Sequence, residues 1–161
     1  MKILVTGASG FIGSYIFDAL VRKHNTIGID NYSLGTYQHP KIYKIDLTDQ
    51  TRTDQLITEF KPDVVYHLAA WAHESLAQFL PRKLSENNFQ AYLNVLSPAI
   101  RNGIKRMIVF SSIAVYGQQK PPFHEDNKRQ PVDIYGVNKT AMEETTEILS
   151  KVHGFEYNGF A

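Results

Sequence analysis

The chain has 161 residues, the length of one domain or of one half of a larger protein. Seventeen basic and sixteen acidic side chains give a net charge of +1, so we expect neither a nucleic acid nor an anionic membrane as partner. The absence of cysteine excludes disulfides and thiolate chemistry and is typical of a reducing, cytoplasmic location.

An apolar, β-favouring run at residues 2–6 predicts a first strand buried on both faces. Because this strand begins at residue 2, we expect no signal peptide, and no apolar stretch approaches the length of about 18 residues that a membrane span needs. A glycine-rich turn follows over residues 7–13. A helical pattern then places six apolar residues on one face: Phe11, Ile12, Tyr15, Ile16, Ala19 and Leu20.

The three glycines of the turn, Gly7, Gly10 and Gly13, lie between a strand and a helix, the context in which such a motif is informative. Glycine permits the tight turn and leaves room for a pyrophosphate, which would meet free N–H groups at the positive end of the helix. Phe11 and Ile12 complete this candidate cofactor-binding segment. The glycines alone also allow a turn without any ligand.

A second strand at residues 26–30 ends in Asp30, about twenty residues after the glycine turn, where a ribose-binding carboxylate is expected. This carboxylate would accept hydrogen bonds from the adenosine ribose and repel a 2′-phosphate. Asn31, Tyr32 and Ser33 follow, so no Arg or Lys stands directly after the acid. We therefore predict NAD rather than NADP as the cofactor.

Strands and helices alternate in the remaining pattern. Further strands are predicted at residues 42–45, 63–69 and 105–111, with a last strand left open at residues 154–161. Helices are predicted at about residues 51–60, 83–102 and 134–153, and Pro98 should kink or divide the second of them. Such alternation predicts one α/β domain over residues 1–161, a Rossmann-like doubly wound parallel sheet with helices on both faces.

Ligands bind such a sheet beyond the carboxyl ends of its strands. Besides the glycine turn, that edge would hold Asp30, Asp46-Leu47, Leu68-Ala69-Ala70 and Ser111-Ser112. The small residues after the fourth strand would let the backbone lie close to a flat cofactor. Two alternatives stay open: an ordinary strand-to-helix turn at Leu68-Ala69-Ala70, and a cap or turn role for Asp46.

Tyr135 and Lys139 lie four residues apart in a predicted helix and therefore share a face. A nearby cation favours the ionised phenol, whose unperturbed pKa of about 10 is too high for a base at neutral pH. Lowering that pKa to about 7 needs roughly 4 kcal/mol, for which a lysine and a cationic cofactor in a partly dry site are suitable sources. The spacing alone also fits two neighbours on a solvated helix face.

The six histidines show no metal-ligand spacing. His67 ends a predicted strand and His73 follows in a loop, so we predict no metal site.

With these motifs assembled, the chain resembles the extended short-chain dehydrogenase/reductases, in particular their NAD-dependent sugar-nucleotide epimerase/dehydratase family. Residues 6–13 resemble the glycine fingerprint of that family, Asp30-Asn31 its ribose site, and Asp46-Leu47 its adenine contact. Residues 67–70 resemble the segment after its fourth strand.

The second half of the chain carries the same resemblance. Residues 110–117 resemble the catalytic serine segment of the family, with Ser112 at its Ser/Thr position, and residues 122–139 resemble the stretch with the catalytic tyrosine and lysine. Asn88 lies where the family has an asparagine near the nicotinamide. The glycine that usually follows is Ala91 here.

This resemblance implies a mechanism and a nucleotide sugar as substrate. Tyr135 would remove a proton from a sugar hydroxyl while the adjacent C–H passes hydride to NAD. Lys139 would lower the pKa of Tyr135 and bond the nicotinamide ribose, and Ser112 would hydrogen-bond the same sugar oxygen. Return of the hydride to the opposite face gives epimerisation, whereas loss of water gives dehydration. A serine that caps the end of a strand is the alternative for Ser112.

The chain also departs from the family. Family members continue into a smaller substrate domain, and where they usually reach an arginine this chain has Phe160-Ala161. We therefore expect a cofactor-binding part truncated before the substrate domain, either a fragment or a natural truncation, with an exposed sheet edge that favours association, for instance as a homodimer. Two other functions stay open: an NAD-binding module without turnover, and a reductase of a non-sugar carbonyl. Asp30 argues against the reductase, because such enzymes normally prefer NADPH and this carboxylate would repel its 2′-phosphate.

Overall fold

A computed structural model describes residues 1–72, 75 and 78–161. Its strands are β1 Lys2–Thr6, β2 Asn25–Asp30, β3 Ile42–Lys44, β4 Val64–His67, β5 Arg106–Phe110 and β6 Glu156–Phe160. Its helices are α1 Phe11–Val21, α2 Gln50–Phe60, α3 Pro81–Ser85, α4 Ala91–Arg101 and α5 Ile134–His153. A π-helical turn, Glu86–Gln90, joins α3 to α4, and a 3₁₀ turn, Ile113–Tyr116, follows β5.

Within the described residues, six strands form one parallel sheet in the order β3-β2-β1-β4-β5-β6. The strand order reverses at β1, which pairs with β2 on one side and β4 on the other. At such a point the carboxyl ends of neighbouring strands open a crevice. The sheet confirms the predicted Rossmann-like fold, and the last strand, left open by the sequence, pairs with β5.

Helices cover both faces of this sheet, as predicted. Leu4 of β1 packs into the core that α2, α4 and α5 build on one face. Its neighbours Ile3 and Val5 point to the opposite face, where they pack with Phe17 of α1. Successive side chains of a strand point to opposite faces, so an uninterrupted apolar strand serves both cores.

The predicted apolar face of α1 is wrong. The helix buries Gly13 and Phe17, whereas Phe11 and Tyr15 are 83% and 71% exposed. Gly13 decides the orientation, because a Cβ there would lie 1.9 Å from the carbonyl oxygen of Gly7. α1 therefore packs against the glycine turn with the side that carries Gly13. This orientation directs Phe11, Ile12 and Tyr15 outward.

The predicted helix over residues 83–102 is interrupted, but Pro98 does not divide it. α4 runs through Pro98 to Arg101, and the helical regularity changes earlier, at the π-helical turn Glu86–Gln90. The long helix predicted over residues 134–153 is confirmed as α5. Among the helices of the described residues, none is both long and apolar enough to cross a membrane.

Candidate active site

The glycine turn lies directly after β1 and ends at the start of α1. Gly7 has a φ of +69°, and a Cβ on it would lie 2.7 Å from the amide nitrogen of Ala69. Gly10 occupies the N-cap position of α1, where a glycine offers no side chain to cap the helix. The first amides of α1 therefore keep their capacity to bind an anion.

Asp30, the last residue of β2, is fixed by backbone amides. Its Oδ2 accepts a hydrogen bond from Ser9 N at 2.8 Å, and its Oδ1 accepts one from Tyr32 N at 2.7 Å. The first of these bonds ties the end of β2 to the glycine turn. The predicted ribose-binding carboxylate and the predicted phosphate-binding turn are thus in direct contact.

Asp46 lies on the same side of the crevice and is held by a turn. It accepts hydrogen bonds from the backbone and side chain of Thr48 and from Asn31 Nδ2, at 2.9, 2.7 and 3.1 Å. Burial raises the pKa of Asp46, but these hydrogen bonds outweigh it and hold the pKa below the usual value. The N-cap of α2 is Asp49, so Asp46 is a turn residue and not a helix cap.

Nine of the predicted cofactor residues line one crevice at the carboxyl edge of the sheet. They are Gly7, Gly10, Asp30, Asn31, Asp46, Leu47, Leu68, Ala69 and Ala70. The other predicted cofactor residues lie outside this lining: Gly13 is buried beneath the turn, and the side chains of Phe11 and Ile12 point to solvent. Tyr135 and Lys139 do not line the crevice either. The sequence missed further lining residues, among them Leu34, Gly35 and Asn87.

The missed residues at 33–37 form a strap across the glycine turn. Ser9 Oγ donates to the carbonyl of Tyr37, and Tyr37 N donates back to the carbonyl of Ser9 at 3.3 Å. A Cβ on Gly35 would lie 2.5 Å from the carbonyl carbon of Ser9, so only glycine lets the strap approach this closely. Gly35 was the one local signal of this contact in the sequence.

Asn88 is buried in the π-helical turn and binds a neighbouring loop. Its Oδ1 accepts a hydrogen bond from Trp71 N at 2.7 Å, and its Nδ2 donates to the carbonyl of Trp71 at 3.2 Å. Asn88 does not line the crevice itself. It fixes the backbone that follows Ala69 and Ala70, which do.

Lys139 and Tyr135 lie side by side on α5, and both are almost fully buried. Lys139 Nζ donates to the carbonyl oxygen of Phe110, at the end of β5, at 2.6 Å and lies 5.7 Å from the centre of the Tyr135 ring. Burial lowers the pKa of Lys139 to about 8, an effect that the charge of Glu143 partly opposes. Lys139 is therefore mainly protonated at pH 7 and can act as the cation beside the phenol.

Ser112 lies two residues beyond β5, at the same edge. Its Oγ accepts a hydrogen bond from Ala114 N at 3.2 Å and caps the 3₁₀ turn Ile113–Tyr116. Capping, which the sequence left open for a strand end, occurs here at the start of this turn. It uses the oxygen as acceptor, so the hydroxyl proton remains available to a ligand. Asp133 caps α5 in a similar way, with Oδ1 accepting from Gly136 N at 2.7 Å, and so fixes the turn that carries Tyr135.

His67 is buried behind this region rather than exposed to it. Its Nδ1 pairs with Thr6 Oγ1 at 2.9 Å, and its ring packs edge-on against Tyr92. Burial, with a smaller contribution from the charge of Lys139, lowers the pKa of His67 to about 3, so the ring is neutral. No group of three or more His, Cys, Asp or Glu in the described part of the chain could hold a metal ion. His73 lies outside the described residues.

The strand order and the glycine turn after β1 define a Rossmann-type domain, and Lys139 and Tyr135 give it a buried Tyr–Lys pair at the carboxyl edge of the sheet. Residues 3–160 match the model of the NAD dependent epimerase/dehydratase family, and the chain belongs to that family. The family resemblance of the motifs is thereby confirmed. NAD, predicted from Asp30, is the cofactor of the family.

The matched relatives include enzymes of nucleotide sugars. The chain is 28% identical over 163 residues to the UDP-glucose 4-epimerase of Lactobacillus helveticus, and the alignment covers 98% of this chain and 49% of that protein. It is 33% identical over 143 residues to the UDP-N-acetyl-alpha-D-glucosaminuronate decarboxylase of Bacillus cytotoxicus, covering 84% and 42%. The chain spans about half the length of the curated relatives it matches.

Solved structures agree with the fold. The UDP-glucose 4-epimerase of Thermotoga maritima with UDP-glucose superposes with a TM-score of 0.93 at 29% identity, over 99% of this chain and 54% of that one. The UDP-glucose 4-epimerase of Thermus thermophilus in complex with NAD gives a TM-score of 0.91 at 27% identity, again over 99% and 54%.

Proposed function

We propose that this chain is the NAD-binding part of an NAD-dependent epimerase or dehydratase that acts on a nucleotide-activated sugar. The observation that carries the proposal is the hydrogen bond from Lys139 Nζ to the carbonyl of Phe110. It brings the lysine to the end of β5, at the sheet edge that also holds the glycine turn and Asp30. A dinucleotide extended along this edge would reach both regions.

The residues of the crevice fit the adenosine and pyrophosphate portions of NAD. Gly7 and Gly10 line the crevice next to the positive end of α1, where a pyrophosphate would meet free N–H groups. Each carboxylate oxygen of Asp30 accepts one amide bond and has a second lone pair, with which it would accept hydrogen bonds from ribose hydroxyls. Asn31 would lie beside the same ribose, and Asp46 and Leu47 would contact the adenine.

The other end of the crevice fits the nicotinamide portion. The small side chains of Ala69 and Ala70 leave room for a flat ring against the backbone, and Asn88 holds the residue after them. Tyr135 and Lys139 would bond the nicotinamide ribose. When bound, NAD would supply a group that reversibly accepts hydride from a sugar carbon.

The side chains of this chain would transfer the proton that accompanies the hydride. Tyr135 would remove it from the sugar hydroxyl, and the buried Lys139 cation would lower the pKa of the phenol for this task. Ser112 would donate a hydrogen bond to the same sugar oxygen and so hold it near the phenol. The UDP-sugar enzymes among the matched relatives support a nucleotide sugar as the substrate class.

Calorimetric titration of the purified chain with NAD and NADP tests the cofactor site. We expect tighter binding of NAD, because Asp30 repels a 2′-phosphate. Asp30→Asn, which keeps the shape but removes the charge, should reduce the preference for NAD at least tenfold. Asp54→Asn on α2, outside the lining of the crevice, is the matched control and should leave the preference unchanged. Tighter binding of NADP by the unchanged chain would contradict the assignment of Asp30.

Turnover is assayed separately with UDP-, GDP- and dTDP-sugars. Tyr135→Phe should abolish any turnover and weaken the binding of NAD only slightly, since a single hydroxyl is removed and Lys139 still bonds the nicotinamide ribose. An active Tyr135→Phe variant would contradict the role of the base. Binding of NAD without turnover of any sugar would favour an NAD-binding module instead.

A further inference from the structure

Arg129 and two acidic residues of α5 form an ion-pair cluster behind the Tyr–Lys pair. Arg129 Nε donates to Glu143 Oε2 at 2.5 Å, and Arg129 Nη2 donates to Glu147 Oε1 at 2.5 Å. Glu143 is only 8% exposed, and the ion pair holds its carboxylate in one place. None of the three residues lines the crevice.

Glu143 lies one helical turn beyond Lys139. Residues four apart on an α-helix are neighbours on one face, with a rise along the axis of about 6 Å, whereas Glu147 lies about 12 Å along the axis from Lys139. Glu143 is therefore a buried negative charge one helical turn from a buried positive one. Its own hydrogen bond goes to Arg129, so its effect on Lys139 is exerted through space.

We propose that Glu143 is a positioning residue for Lys139: Arg129 holds its carboxylate one helical turn from the lysine, so that the buried ammonium keeps its proton at the pH where Tyr135 acts. The proposal rests on the function proposed above in one respect only, namely that the Lys139 cation lowers the pKa of the Tyr135 phenol. A neutral lysine would no longer stabilise the ionised form of the phenol by its charge.

The surroundings of Lys139 leave this task to Glu143. His67 on β4 is neutral because of its burial, and β5 contributes the carbonyl of Phe110. Burial lowers the pKa of Lys139 to about 8, and Glu143 is the group that opposes this lowering. The same carboxylate, after the larger effect of burial, also raises the pKa of Tyr157 on β6.

The test measures the pKa of Lys139 by NMR in the chain without any cofactor, with ¹³C at the lysine Cε positions and Lys139→Met to assign the signal. Glu143→Gln should lower the pKa of Lys139 by about one unit, a tenfold loss of proton affinity. Glu147→Gln is the matched control, since it removes the other contact of Arg129 one turn further away, and should give less than half of that shift. Glu143→Asp, which keeps the charge, should retain most of the original pKa.

Equal shifts in Glu143→Gln and Glu147→Gln, or no shift in Glu143→Gln, would overturn the proposal. So would a Glu143→Asp variant that behaves as Glu143→Gln does, because the role would then be one of shape. If Glu143→Gln fails to fold, adding Lys139→Met should restore folding, as the unbalanced cation is then gone. Failure of that rescue would also count against the proposal. Failure to bind NAD would instead contradict the proposed function and leave the lysine titration intact.

Discussion

Lys139→Met should stabilise the chain while removing the cation on which its proposed chemistry depends. Methionine has nearly the length of lysine and no charge, so the change removes the penalty of a buried ammonium without opening a large cavity. Lys139 is 3% exposed, and its pKa falls from 10.5 to about 8 because of burial. The folded protein therefore holds the proton less tightly than the unfolded chain does.

The size of the effect follows from these two pKa values. At pH 7 the lowered pKa costs the folded state about 3 kcal/mol, because each unit corresponds to about 1.36 kcal/mol. The variant leaves the carbonyl of Phe110 without its donor, at a cost of about 1 to 3 kcal/mol. We expect a net gain of about 1 kcal/mol for Lys139→Met at pH 7.

The pH dependence gives the sharper result. Folding lowers the pKa of Lys139, so the penalty of the buried charge is fully present below pH 8. The wild-type chain should therefore gain stability as the pH rises from about 8 towards 10.5. Between pH 7 and 9.5 the penalty should fall by about 2 kcal/mol. The advantage of the variant should shrink by the same amount and change sign.

Urea unfolding of both proteins at pH 7, 8.5 and 9.5 measures this difference, since titration of all other groups is common to the two. A difference in the free energy of unfolding that stays constant over this range would refute the reasoning. It would mean that Lys139 titrates in the folded protein as it does in the unfolded chain.

Two further predictions concern residues behind and beneath the crevice. Folding lowers the pKa of His67 from 6.5 to about 3, because the buried ring is held neutral. The protein therefore has its full stability above pH 6.5 with respect to this residue and loses it as the pH falls towards 3. His67→Gln should therefore remove about 2 kcal/mol of the acid destabilisation at pH 5, and equal acid limbs in urea unfolding would disprove this. Gly13→Ala should lower the free energy of unfolding by about 2 to 3 kcal/mol, because its Cβ would lie 1.9 Å from Gly7 O. Gly10→Ala, whose Cβ would lie 3.3 Å from the same oxygen, should cost clearly less, and equal urea midpoints would contradict the packing argument.

Local patterns predicted the parts of the fold that depend on neighbours in sequence. The glycine turn, Asp30 at the end of β2 and the helix Ile134–His153 each follow from residues within one or two turns of chain. The common edge of the predicted site residues followed from one further rule, that parallel strands end on the same side of a sheet.

The errors concern contacts between distant segments. Periodicity gave α1 the wrong face because hydrophobicity favoured Phe11 and Tyr15, whereas the backbone approach at Gly13 decided the packing. The strap at residues 33–37 and the bond of Asn88 to Trp71 join segments that no periodic pattern connects. The ion pairs of Arg129 were missed for the same reason, as 14 residues separate it from Glu143.

The π-helical turn Glu86–Gln90 makes the number of residues in this stretch matter as much as their identity. A π-helical turn holds about one residue more than an α-helical turn, so loss of a single residue here would restore regular winding and change the directions in which the side chains of the turn point. Asn88 would then leave the backbone of Trp71, and the alanines beside it would lose their anchor. A deletion in this turn would therefore disturb one wall of the crevice even where Asn88 itself is kept.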